Sequence, residues 1–287
     1  NPLGDLWAWN GLEWQEWCTE APCSDSKPPA RSNTALASAF DGLLLFAGDT
    51  LLGKVQDFWK FSAGAWEEID ASTGIGARSG HAMHYDEHLE KLVVISGQNT
   101  VGTNDKTMYS WNESSWYLEA SNLFDLSSHT LNYDQQRQVL VLYGGRIDAA
   151  NSSAETWEWD GTSWMQSCAV GDMQCAGLSG RQDYALAYDS SGERALLMGG
   201  LTSEGKSSEL WQWDGARWSL ICAGGDDADC PGPSARLGHA MAYDSANDTL
   251  VLYGGQTDTA FTGDLWEWDG TNWTELALNE TCTGDCP

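Results

Sequence analysis

Positive charge is scarce in this chain: 14 Lys and Arg stand against 42 Asp and Glu in 287 residues. A net charge of −28 repels phosphate backbones, whose binding needs clustered Lys and Arg. It repels anionic lipid headgroups for the same reason. Nucleic acid is therefore excluded as a partner. No run of about 18 apolar residues occurs, which excludes a membrane-spanning helix and direct insertion by that route. The amino end, Asn1-Pro2-Leu3-Gly4, carries no basic-then-apolar leader, so any secretion signal is expected outside this sequence. Histidines number 5, and there is no HExxH, Gly-x-Ser-x-Gly or phosphate-loop motif. Disorder is excluded in turn, because 41% apolar residues is enough for a large core.

What the chain has in excess is tryptophan, 17 residues, and its placement is periodic. Pairs of aromatics recur with six residues between them: Trp7/Trp14, Trp59/Trp66, Tyr109/Trp116, Trp157/Trp164, Trp211/Trp218 and Trp266/Trp273. All but Trp17 fall inside these units. A period near fifty residues marks a repeat array whose neighbours share a continuous core. One complete unit reads as four strands. Arg236–Asp244 is small and apolar, Thr249–Tyr253 is a buried run ended by Gly254-Gly255, Leu265–Trp268 alternates aromatic and acidic residues, and Trp273–Leu276 follows an Asp269-Gly270 turn. Tryptophans placed this way are core. Burying one ring removes roughly 150–250 Å², or about 4–6 kcal/mol as an upper bound.

The buried strand, the diglycine and the paired aromatics resemble the kelch repeat over nearly the whole chain. There are departures: Ala47-Gly48 and Ser96-Gly97 replace the diglycine in two units, and Leu126 stands where Arg78, Arg181 and Arg236 begin theirs. The resemblance implies an all-β fold, a β-propeller of four-stranded antiparallel blades. Complete blades are expected at 30–70, 77–120, 123–168, 179–222 and 234–277, within one domain and followed by a tail at 278–287. Residues 5–17 read as the outer half of a further blade, so the expectation is six blades with one incomplete in this chain. An excerpt of a longer protein, or strands from another chain, would account for that; five blades with an appended hairpin is the alternative.

Eight cysteines form four close pairs: Cys18/Cys23, Cys168/Cys175, Cys222/Cys230 and Cys282/Cys286. Three of the pairs begin four residues after the unit's last tryptophan, so local disulfides are expected, each closing a short loop. That implies an oxidising, extracellular setting, secreted or on a cell surface. Sequons at Asn112, Asn151, Asn247, Asn272 and Asn279 permit glycosylation. His81, His129 and His239 hold equivalent places, so a structural role is expected; a metal-binding ring is the alternative. His84 and His88 complete the set. The acidic loop Gly224–Asp229 could hold Ca²⁺ but lacks a calcium loop's spacing, and no cofactor is expected. Asp160, Asp214 and Asp269 read as turn formers.

Function is expected on the face bearing the long loops, such as 98–106, 146–155, 201–208 and 256–263, with a protein or glycan partner. An extracellular binding or structural module is the expectation. A secreted enzyme acting on a carbohydrate or small metabolite and a subunit of an extracellular filament or coat are the alternatives. Kelch-like oxidases need a Tyr–Cys crosslink, whereas every cysteine here has a partner; a mutarotase-like site remains compatible.

Overall fold

The computed structural model describes residues 4–18, 23, 26–70, 74–169, 171–173 and 177–276. Contacts divide the chain into two compact units, Asn1–Ser128 and His129–Pro287. Among the described residues the regular structure is all-β. It consists of five antiparallel blades of the β-propeller type, two in the first unit and three in the second, each with the order inner strand to outer strand.

In the first unit, the first blade runs Ala35–Ala39, Gly42–Thr50, Gly53–Ser62 and Ala65–Asp70, with the short strand Arg31–Ser32 added beside Gly42–Thr50. The second runs Ala82–Asp86, Lys91–Ile95, Met108–Trp111 and Trp116–Ala120. In the second unit, the third blade spans Thr130–Asp134 to Trp164–Cys168, the fourth Ala185–Asp189 to Trp218–Cys222, and the fifth Ala240–Asp244 to Trp273–Leu276. The expected count of six is corrected to five. Leu6–Trp9 and Trp14–Trp17 form a separate two-stranded sheet that no other described strand joins.

That hairpin packs on the first blade, at a position comparable to a contact between the third and fourth blades. In the third blade Ser167 donates to Glu158 at 2.9 Å, and Glu158 accepts the indole N–H of Trp213, in the fourth blade, at 2.9 Å. Trp17 stands at the position of Ser167, Phe61 at that of Trp213, and their rings stack 5.5 Å apart.

The second strand of each blade is mostly apolar, and in the fourth blade its two faces fill two different cores, Ala195 and Leu197 in one and Leu196 and Met198 in the other. Leu44, Phe46 and Phe58 meet Met83, Leu92 and Val94 between the first and second blades. Val141 and Tyr143 meet Leu186, Ala195 and Leu197 between the third and fourth. Leu196 and Met198 meet Leu250 and Leu252 between the fourth and fifth. Nine tryptophans are buried, Trp213 completely.

A buried arginine ties the inner strands to the outer ones. Arg31, Arg78, Arg181 and Arg236 each donate from Nη1 to the carbonyl of the residue that opens the diglycine position: Ala47, Ser96, Gly199 and Gly254, at 2.9–3.0 Å. Each also pairs with a carboxylate at the head of the third strand: Asp57, Asp105, Glu209 or Asp264. Three of those carboxylates accept the indole N–H of the first tryptophan as well, Trp59, Trp211 and Trp266. A guanidinium without its partner charge would be costly at this burial, so the pair fixes where the third strand starts.

The diglycine positions explain their own exceptions. Ala47 and Ser96 adopt φ of 53° and 55°, a left-handed geometry that non-glycine residues tolerate at modest cost. The second position is stricter: φ lies at 91–115° at Gly48, Gly97, Gly145, Gly200 and Gly255. A Cβ on Gly200 would sit 2.7 Å from Tyr184 Cβ, and one on Gly97 2.7 Å from His81 Cβ. Gly200→Ala should therefore destabilise the second unit by about 2–4 kcal/mol, measured by urea unfolding. An equal substitution in the open turn at Gly270, where nothing lies within 4 Å, should cost about 1 kcal/mol.

Candidate functional site

The residues that repeat are accounted for by packing, which leaves those that do not. Trp17, outside the repeated units, is the one exposed tryptophan among the described residues, at 43%. It forms part of a groove of about 1000 Å³ in the first unit, with Phe61, Leu43, Phe40 and Tyr85 as apolar walls and Asp41 and Glu87 beside them. Phe40 and Asp41 form the turn between the first two strands with φ of 49° and 55°. The ring of Phe40 is held there edge-on to Tyr85 at 5.0 Å and to Trp111 at 5.3 Å. Burial, with the charges of Glu90, Glu113, Glu87 and Asp86 added, raises the Tyr85 phenol above its ordinary pKa, so it stays a neutral donor. The groove lies at the end of the blade that carries the short turns, Phe40–Gly42 and Ser62–Gly64, and not among the long loops.

The groove continues onto an uncovered sheet face. Leu43 and Leu45 of the second strand are half-buried and Leu36 of the first is 47% exposed. Their equivalents by strand register are Leu92, Val94 and Met83 in the second blade, Leu140, Leu142 and Leu131 in the third, and Ala195, Leu197 and Leu186 in the fourth. All of those are at most 7% exposed. Leu6, Cys18 and Cys23 join Leu43, Leu45 and the Trp59–Phe61–Trp66 cluster from the hairpin side, with Trp17 stacked on Phe61.

The histidines divide by role. His81, His129 and His239 are buried at 5–7% exposure. The ring of His81 meets Phe46 edge-on at 5.2 Å, and Cε1 of His239 lies over Gly199. Burial lowers the pKa of His129 to about 4 and that of His239 to about 3, the Arg236 cation adding to the latter. His84 bonds the carbonyl of Tyr85 at 2.9 Å, and His88 is exposed. No group of three or more His, Cys, Asp or Glu among the described residues is placed to hold a metal ion. In the acidic loop, Asp227 accepts the amides of Asp229 and Cys230 at 2.8 and 3.1 Å.

Asp160, Asp214 and Asp269 each accept the backbone N–H groups two and three residues on, at 2.7–2.9 Å. Asn10 and Asn112 make the same turn, a kinship legible in their place between the paired aromatics. The sequon asparagines Asn112, Asn151, Asn247 and Asn272 are exposed; Asn279 lies outside the described residues. Disulfides join Cys18 to Cys23 and Cys222 to Cys230. Cys168 is disulfide-bonded too, while Cys175, Cys282 and Cys286 lie outside the described residues. A second cavity, of about 250 Å³, is lined by Asp189, Arg194, Tyr243 and Asp248, which already pair with one another as Asp189–Arg194 and Tyr243–Asp248. No family model matches the chain, and no curated protein matches it.

The depressed histidine pKa values set an acid limit. A neutral histidine in the fold, against an ordinary value near 6.5 when unfolded, contributes stability that is full above pH 6.5 and falls as the unfolded chain takes up protons. The loss ends near pH 4 for His129 and near pH 3 for His239. Asp264, lowered to about 2 against its own burial by hydrogen bonds from Arg236 and Trp266, weakens the fold only below about pH 4. From pH 7 to pH 5 each histidine should cost about 2 kcal/mol. Chemical denaturation at the two pH values checks this, and His129→Gln should remove its share of the difference.

Proposed function

We propose that this chain is an extracellular, kelch-type binding module that receives a polypeptide partner on the first blade. The exposure of Leu36, Leu43 and Leu45, at positions buried in the second, third and fourth blades, carries the reading. Contiguous exposed apolar surface in a soluble protein marks an interaction site. The groove beside it adds an aromatic anchor, Trp17 on Phe61, of the kind that dominates interface energetics. Asp41, Glu87 and the net charge of −28 favour a neutral or cationic partner and speed its approach. The two disulfides with both partners described are compatible with an oxidising compartment.

One observation favours a second reading. A flat exposed indole beside carboxylates also suits a sugar ring, so a glycan could stack on Trp17. Parallel peptide and glycan arrays probed with the chain and with its Trp17→Ala variant separate the two. The polypeptide reading predicts peptide ligands whose binding Trp17→Ala weakens by about tenfold, or ~1.4 kcal/mol. Glycan hits alone, lost in the variant, would contradict it.

A further inference from the structure

The exposed face of the first blade, the strand beside it and one carboxylate that no ion pair among the described residues includes together define what fits. We infer that the first blade and the hairpin Leu6–Trp17 receive a two-stranded β-hairpin from a partner polypeptide, led by an arginine. The inference rests on the binding-module reading and names the partner's chemistry.

Three observations converge. First, the cover that Leu36, Leu43 and Leu45 lack is known from the blades that have it. Their equivalents in the second blade lie under Leu44 and Phe46 of the preceding second strand with Ala35, Ala37 and Ala39 of the preceding first strand. In the fifth blade, Leu250 and Leu252 lie under Leu196, Met198 and Ala187. The cover is in each case an inner strand pair with small residues on one strand and large apolar ones on the other.

Second, among the described residues Leu6–Trp9 pairs with Trp14–Trp17 alone. Its equivalents Thr156–Trp159 and Leu210–Trp213 also pair with a second strand, Val139–Tyr143 and Arg194–Met198. The backbone edge of Leu6–Trp9 is thus a template for strand addition, and an unprotected edge of this kind is where a partner strand adds.

Third, Asp5 accepts the indole N–H of Trp7 at 2.6 Å, as Asp57, Glu209 and Asp264 accept theirs. Those three are each closed by a buried arginine from the start of the inner strands. Asp5 is exposed, and none of the ion pairs among the described residues includes it. An arginine four residues ahead of the partner's first strand would reach it, as Arg236, four residues ahead of Ala240, reaches Asp264 within the fifth blade.

A synthetic peptide with the sequence of residues 236–256, which holds that arginine and both inner strands, is the probe. Titrated into the intact chain and followed by calorimetry, it should bind saturably in the micromolar range. Leu36→Lys and Asp5→Asn should each weaken it by about tenfold; both sites are exposed, and unchanged melting of the two variants confirms the fold. Asp5→Asn should have no effect on a peptide carrying Arg236→Gln. Absence of saturable binding up to ~1 mM, a free energy of about −4 kcal/mol, overturns the inference, and so does binding indifferent to both substitutions. Concentration-dependent self-association that the peptide fails to dissolve would assign the face to a second copy and overturn it too. If the peptide fails while array peptides still bind in a Trp17-dependent way, the hairpin is wrong and the binding module stands.

Discussion

A four-stranded sheet that is apolar on both faces has to be covered on both, and every other feature of this chain follows from that constraint. The second strand of the fourth blade carries apolar side chains alternately to either side, so one strand feeds two cores. A single such sheet exposes too much apolar area to be stable in water, whereas stacked ones bury it continuously. The diglycine serves the same requirement. At its second position the first strand approaches so closely that His81, Tyr184 or His239 leaves no room for a Cβ.

Burial of this kind creates an electrostatic problem at the blade's inner end, and the arginine resolves it. Its guanidinium satisfies a carbonyl released from the ladder at the diglycine and neutralises the carboxylate that holds the tryptophan. Strand start, glycine turn and aromatic anchor are thereby locked into one network. Each charged group is satisfied by the others, which is what makes a buried ion pair tolerable. Asp5 and Trp7 make one half of the same network, and no arginine among the described residues pairs with Asp5.

Most of the fold was legible because repetition reports on packing. The Trp266–Trp273 spacing, the apolar run Leu250–Tyr253 and the Asp269 turn foretold the fifth blade strand by strand. The two strands at Trp7–Trp14 were legible as a hairpin, but the blade count was not, since the spacing of the aromatics does not say whether a further blade forms around them. Nor were the carboxylate partners of the arginines. Their separations of 26, 27, 28 and 28 residues pass through loops of different length, which hides the pairing from a fixed period. The candidate site was the least legible part. Attention to the long loops passed over Trp17, Leu36 and Phe40, whose exposure or conformation depends on what stands opposite them in space. The one sequence signal available was that Trp17 is the tryptophan that does not repeat.

The central claim is that the second strands of the second, third and fourth blades are covered on both faces, whereas the strand Leu6–Trp9 and the Leu36–Leu43–Leu45 face of the first blade are open. Native-state amide hydrogen exchange resolved along the sequence tests it directly. The account predicts strong protection through Val139–Tyr143 and Arg194–Met198, exchanging only with unfolding of the second unit, and fast exchange along Leu6–Trp9 and Ala35–Ala39. Protection of Leu6–Trp9 equal to that of Thr156–Trp159 would contradict it.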